Sequence, residues 1–425
     1  MNSGVTPEWV AAGAGRPHRP PLELEKPEEL PGKSTKSKTR LSTQASSTHT
    51  NNRSASSAED DFTITLTAIY DVGDLVEMLL VRRKQIPQLL FKIIALCIPY
   101  NPALRRFTIR WSRLDGSSLY EMSKFLPQSN ITEICLDDSV SYEARYDLYL
   151  QIPHLKFLSL ARCKIGDYVC GNIASELEFP KSAARRLVAL NLTSNMISDV
   201  GAGKLGSALR GNRQLRHLNL SGNLIADEGA AHVLRCLMEF PLTSDEILGK
   251  RMRRIAYLTN RPRAYESCVE QLNTEVKNDS PGRVGKEAAT KSKDRAKNAS
   301  PIHESDEIEA KAMANEVVDA YDDPYSNEET IYKNDCVYCV GNLSLCCLNL
   351  AYNNLEYPSV VKLCEVLDYQ SKLAGKRQPG LMRVLIEGNN VPVSCRELEL
   401  ARQFLEGLSE MSELRCNSDT IKTKK

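Results

Sequence analysis

The sequence predicts an α/β solenoid, with a curved parallel sheet inside and helices outside, a disordered N-terminus and a long insertion. Two observations predict it. The pattern Leu187-x-x-Leu190-x-Leu192-x-x-Asn195 returns 28 residues later as Leu215-x-x-Leu218-x-Leu220-x-x-Asn223. Each copy continues with Ile (Ile197, Ile225), Asp (Asp199, Asp227) and Gly-Ala (Gly201-Ala202, Gly229-Ala230). Between the copies the apolar period lengthens to three and four residues, as at Ala230, Val233, Leu234 and Leu237. Alternation belongs to a strand and the longer period to a helix facing the core, so each repeat is strand, turn, helix.

Composition allows such a core. Hydrophobic residues make up 42% and charged residues 26% of the 425, as expected of a folded core carrying polar tails. The net charge of +1, on 55 basic and 54 acidic side chains, argues against nucleic acid as a partner and against an anionic membrane. No apolar run is long enough for a spanning helix, and the N-terminal residues do not read as a secretory signal. The 13 cysteines, an odd number, predict reduced, mostly buried thiols in a cytoplasmic compartment.

Residues 1–60 are expected to be a disordered tail. Between Ser34 and Ser57, 13 of 24 residues are Ser or Thr, which cannot bury enough apolar surface to offset the ordering entropy. A cap strand at 62–66 and the repeats fill 61–240. Weaker copies start at Leu75, Leu104, Ile131 and Leu155, with Ser112, Ser139 and Cys163 at the Asn position. Two more start at Leu345 and Leu381, within the final repeats and C-terminal cap of 342–416, which ends in a helix at 395–408. Residues 417–425 form a basic tail. The eight strands would make a ribbon roughly 35 Å long at about 4.8 Å per strand.

The insertion, 241–341, opens with a capping box, Thr243-x-x-Glu246, and a basic helix with Leu248, Met252, Ile255 and Leu258 at helical spacing. From Cys268 to Asn334 the composition is polar and little order is expected. Charge is segregated: residues 241–300 carry 13 basic and 8 acidic side chains, and residues 301–335 carry 2 and 11. The segment reads as a disordered surface loop or as a docking element centred on Arg251 and Arg254.

Chemistry-bearing constellations are sparse. Asn195, Asn223, Asn353 and Asn389 read as a buried amide ladder rather than as catalytic groups. Cys336-x-x-Cys339 with Cys346-Cys347 has the residue types of a zinc site, but adjacent strand positions point to opposite faces, so buried thiols are the better account. There is no phosphate loop, zinc-protease motif or nucleophile elbow. No catalytic residue, cofactor or metal is expected. The informative surface is the inner sheet face, where residues flanking the second and third Leu of each repeat point to solvent. The candidate partner-binding residues there are Arg106, Arg110, Glu133, Asp137, Phe157 and His217. The charged residues lie toward the ends, with Arg106 and Arg110 beside Glu133 and Asp137, and the middle is small and neutral.

The Leu-Asn-Leu core followed by Asn-x-Ile-x-Asp-x-Gly-Ala resembles the ribonuclease-inhibitor class of leucine-rich repeats, most closely over 187–238. The resemblance implies a leucine-rich-repeat solenoid and a non-catalytic scaffold for protein–protein interaction. Relatives of this architecture are found in cilia and flagella, which implies an axonemal protein partner. An alternative is a regulator of a small GTPase, because a GTPase-activating family uses the same repeat class. That role needs an activating Arg on a loop beside the bound nucleotide, or residues that position the GTPase's own machinery; Arg110 and Arg162 lie near strand ends.

Overall fold

The computed structural model describes residues 36–41, 64–141, 143–278, 312–313, 321–373, 380–392 and 394–408. It divides into two compact units, one of 1–240 and 340–425 and one of 241–339.

The first unit is built on a ten-stranded sheet. Strand β1 (Lys36–Leu41) pairs antiparallel with β2 (Ile64–Asp71), and β2 pairs antiparallel with β3 (Asp74–Val81). From β3 onward the order is β4 (Arg106–Arg110), β6 (Glu133–Cys135), β8 (Phe157–Ser159), β9 (Ala189–Asn191), β10 (His217–Asn219), β14 (Cys347–Asn349) and β15 (Arg383–Leu385), all parallel. Two short strands, β5 (Arg113–Leu114) and β7 (Val140–Ser141), pair with each other beyond β4 and β6. The Leu of each repeat sets the register. Met78, Phe107, Ile134, Leu158, Leu190, Leu218, Leu348 and Val384 face one another strand by strand. The copy starting at Leu75 is therefore a true repeat strand, and β10 pairs directly with β14 although the insertion separates them.

The predicted edge strand exists, but it starts at Ile64 and forms a hairpin with β3. Six residues of the expected tail, β1, occupy the edge beyond it. The rest of 1–60 and all of 417–425 lie outside the described residues. A further helix covers 396–408.

Three side-chain ladders tie repeat to repeat. In the first, Asn223 accepts from the Ile197 N–H at 3.1 Å and donates to the carbonyls of Leu192 and Leu220 at 3.0 and 2.9 Å. Asn195, Asn353 and Asn389 bond in the same way. Ser139 does the same with its hydroxyl, accepting from the Ser112 N–H at 3.4 Å and donating to Ile109 O at 3.2 Å, and the Cys163 thiol reaches Leu136 O. In the second, Asp167 accepts from Ser198 N–H and Gly201 N–H, at 2.8 and 3.0 Å. Asp199 accepts from Ala226 and Gly229, and Asp227 from Glu356 and Ser359. These acids stand in the first turn of their own helices, but they satisfy the open N–H groups of the next repeat's helix. In the third, Asn212, Asn342 and Gln370 donate to the carbonyls of Leu177, Leu209 and Leu237 at the ends of the preceding helices. All three are buried, at 0%, 0% and 1% exposure.

In the second unit the capping box is present: Thr243 N–H donates to Glu246 Oε2 at 2.8 Å and Glu246 N–H to Thr243 Oγ1 at 3.2 Å. The helix it starts runs Ser244–Asn278, through Pro262. A short strand, β11 (Phe240–Pro241), leads into this unit, where β12 (Thr330–Lys333) and β13 (Cys336–Cys339) form a hairpin. The expectation of little order from Cys268 to Asn334 is thus corrected at both ends. The helix continues ten residues past Cys268, which is buried against Ala264, Tyr265, Val269 and Met313. The hairpin turn is Asn334-Asp335, both at positive φ (52° and 56°), the geometry that right-twisted hairpins favour and that Asn and Asp tolerate. Residues 279–311 and 314–320 lie outside the described residues.

Candidate functional site

The inner face of the sheet starts with a charge cluster. Arg106 on β4 donates through Nε to Glu133 Oε2 at 2.6 Å and lies 3.4 Å from Glu77 Oε2, one strand to either side. Burial alone would lower the Arg106 pKa, but the two carboxylates hold it above its ordinary value. Thr108 Oγ1 also donates to Glu77, at 3.3 Å. The opposite charges expected on neighbouring strands therefore meet, with Glu77 as a third member that sequence reasoning did not place.

Asp137 does something else. It accepts from Ser159 Oγ at 2.6 Å and from Ala161 N–H at 3.0 Å, not from Arg110. Arg110 is exposed and forms no ion pair among the described residues. From Asp137 a polar network crosses the sheet: Asn191 Nδ2 donates to Ser159 Oγ at 2.9 Å, Thr193 Oγ1 to Asn191 Oδ1 at 2.5 Å, and Ser221 Oγ to Thr193 Oγ1 at 3.4 Å.

This network corrects the picture of a small, neutral, solvent-facing middle. Ser159, Ala161, Ala189 and Asn191 are buried, at 1%, 3%, 0% and 5% exposure. Small side chains on closely spaced strands are covered by their neighbours across the ladder, so strand alternation alone overstates their exposure. Phe157 and His217 are partly exposed, and Arg383 and Glu387 at the far end are exposed. Burial pushes the His217 imidazole pKa down, and Arg216 adds to the effect. Its Nδ1 is shut away without a hydrogen-bond partner.

The buried thiols of the repeats are poor nucleophiles. Burial pushes Cys135, Cys163 and Cys170 up to about 12, and a thiolate is the reactive form. Among the described residues no group of three or more His, Cys, Asp or Glu is placed to hold a metal ion, and no helix is long and apolar enough to cross a membrane.

In the second unit, Arg251 and Arg254 are exposed on the helix Ser244–Asn278, beside exposed Leu248, Met252, Ile255 and Leu258. The neighbouring Arg253 turns to a buried carboxylate, with Nε 2.7 Å from Asp323 Oδ2. Lys250 reaches Asn327 and Thr330.

The comparisons with known proteins agree with this geometry at the level of the repeat. A family model for the leucine-rich repeat matches residues 151–167, 185–206 and 211–232. These segments are leucine-rich repeats, and the sheet continues their register on both sides. No curated protein matches the chain. Among solved structures, an internalin from Listeria monocytogenes is similar over 71% of this chain and 52% of its own, at 11% identity and a TM-score of 0.30. The chain thus spans about half of that internalin. The actin-binding site 2 of leiomodin-1 is similar over 28% of this chain and 69% of its own, at 22% identity and a TM-score of 0.25.

Proposed function

We propose that the chain is a non-catalytic scaffold that docks a protein partner on the inner face of its leucine-rich-repeat sheet. The observation that carries this reading is the distribution of free side chains along eight parallel strands. Arg110 stands free near one end and Arg383 and Glu387 at the other, with Phe157 and His217 partly exposed between them. Both signs of charge with an aromatic between them suit a protein surface better than a uniform polyanion. Arg106 is not a free contact, because it already holds Glu77 and Glu133.

At a finer level, the arrangement of repeats, the Phe-Pro-Leu-Thr-Ser-Asp-Glu-Ile segment at Phe240 and the arginines after it resemble leucine-rich repeat-containing protein 71. On that resemblance the partner is an axonemal protein and the site of action a cilium or flagellum, with the chain in the cytoplasm. The GTPase-regulator reading is weaker. Of its two arginine candidates, Arg162 is clamped in two bonds, 2.5 and 2.6 Å long, to Asp138, and only Arg110 stands free to reach a nucleotide.

The double variant Arg110→Glu, Arg383→Glu tests the docking face. Both side chains are exposed, so stability should change by under about 0.5 kcal/mol each. The reading expects binding to the partner to weaken while the thermal melt stays put. Unchanged affinity with an unchanged melt would move the interface away from these ends of the inner face.

A further inference from the structure

Seven of the eight repeat strands, all but β3, end in a turn whose last residue before the ladder position is left-handed. The φ values are 53° at Trp111, 56° at Asp138, 56° at Arg162, 55° at Ser194, 67° at Gly222, 55° at Tyr352 and 71° at Gly388. The turn imposes this conformation, and glycine meets it without steric penalty, whereas a bulky side chain does not. Two positions in the column carry aromatics. Tyr352 has a packing role, since its ring lies over Gly388, where a Cβ would collide with it. Trp111 is 57% exposed and lines an open cleft.

That cleft has a volume of about 650 Å³ and is also bounded by Arg83, Arg113, Asp138 and Lys164. Backbone pairing builds its walls: Arg113 N–H donates to Lys84 O at 3.4 Å, Ile86 N–H to Arg113 O at 3.3 Å, and Arg113 pairs with Val140 on its other side. Arg83, Arg113 and Lys164 are exposed and form no ion pair among the described residues. The one carboxylate on the wall, Asp138, is taken up by Arg162. The cleft therefore presents three unspent cations around an indole face, in a space of the size that holds a small organic ligand or a short run of peptide.

We propose that this cleft docks an acidic peptide segment, with carboxylates on Arg83, Arg113 and Lys164 and an apolar side chain on the Trp111 ring. Guanidinium groups pair with carboxylates through two parallel bonds, and the indole supplies apolar area at low entropic cost. A nucleic acid is a poorer fit, because it needs a continuous basic track. Asp115, Asp137 and Glu143 stand in the adjoining turns and interrupt one. The surface lies on the turns that follow the strands, so it is a second contact beyond the inner face.

The chain has two tryptophans, so Trp9→Phe leaves Trp111 as the only indole reporter in the full-length protein. A short synthetic peptide alternating Glu and Leu should change its emission in a saturable way. Higher salt should weaken the binding, and Arg83→Glu with Arg113→Glu should weaken it at least about tenfold with an unchanged circular dichroism spectrum. If that pair fails to fold, Lys164→Glu alone should lower the affinity. Arg383→Glu, at the far end of the inner face, should leave this affinity unchanged, so loss of the inner-face reading and loss of this one are separable. No emission change, equal affinity in the charge variants, or tighter binding of a Lys-Leu peptide or of oligothymidylate would overturn the proposal.

Discussion

Asp167 Oδ1 accepts the Gly201 N–H at 3.0 Å, and a Cβ on Gly201 would come to 2.6 Å from that same oxygen. Acid and glycine are thus one device. At this position the carboxylate of one repeat lies so close to the N-terminus of the next helix that no Cβ fits between them, whereas the ladder's third acid, Asp227, meets Ser359, whose N–H it also accepts. Asp199 and Gly229 repeat the arrangement, which explains why Asp and Gly-Ala recur together in the sequence.

The device sets opposite signs for two substitutions in one helix. Gly→Ala inside a helix usually stabilises by about 0.5–1 kcal/mol. Gly203→Ala should follow that rule, since its Cβ would find its nearest neighbour at an ordinary 3.7 Å, in His232. Gly201→Ala should instead destabilise by about 1–3 kcal/mol, as overpacked sites do. Denaturant midpoints of the two variants check this, and a stabilised Gly201→Ala would dissolve the Asp–Gly pairing.

The same acid ladder and His217 predict two separate pH windows. Burial lowers the His217 pKa from its ordinary 6.5, so the unfolded chain binds the proton more readily. Its contribution is complete above pH 6.5 and fades as the pH falls below that value. Burial pushes Asp167 up, but the Ser198 hydroxyl and the Ser198 and Gly201 N–H groups outweigh it, and its pKa ends below 3.8. That contribution is lost only as the pH falls through the more acid range. His217→Gln should flatten the stability profile just below pH 6.5 and leave the acid limb intact. Urea midpoints across both ranges would show it.

One buried ion pair ties the segment around Asp323 to the helix Ser244–Asn278. Asp323 has a side chain with 0% exposure and is held by Arg253, and Tyr325 N–H donates to it at 2.8 Å. Arg253→Met would strand a buried charge, a change that costs about 3–5 kcal/mol in comparable pairs. Limited proteolysis should then cut within 321–339, with the repeat unit surviving. Protection equal to that of the parent protein would mean that the pair does not hold the segment.

The sequence made most of the repeat frame legible, because core Leu positions and the Asn ladder are written at fixed spacing within one repeat. Even the insertion left the phase intact, with Leu218 facing Leu348. Features made between repeats were harder to see. Asp199 looks like a cap for its own helix, and only the stacked structure shows it serving the next one. Asn212 and Asn342 look like loop residues until Leu177 and Leu209 are seen to need donors. The inner face was misjudged for the same reason. Alternation places Ser159 and Asn191 outward, but cross-strand neighbours cover them. The Asn334-Asp335 turn is a hairpin signal set in a polar stretch, where composition alone hides it.

Docking on the inner face is the central claim, and site-specific crosslinking reads it directly. A benzophenone amino acid replacing Phe157 on β8 would stand on that face. The same group replacing Tyr168, which is 78% exposed on the helix Asp167–Glu176, would stand outside it. Irradiation in an extract of ciliated cells, followed by mass spectrometry, identifies what each position touches. The account predicts a discrete protein adduct from position 157 that Arg110→Glu with Arg383→Glu abolishes, and no such adduct from position 168. An adduct from position 168 alone, or one from 157 that survives the charge reversal, would contradict it.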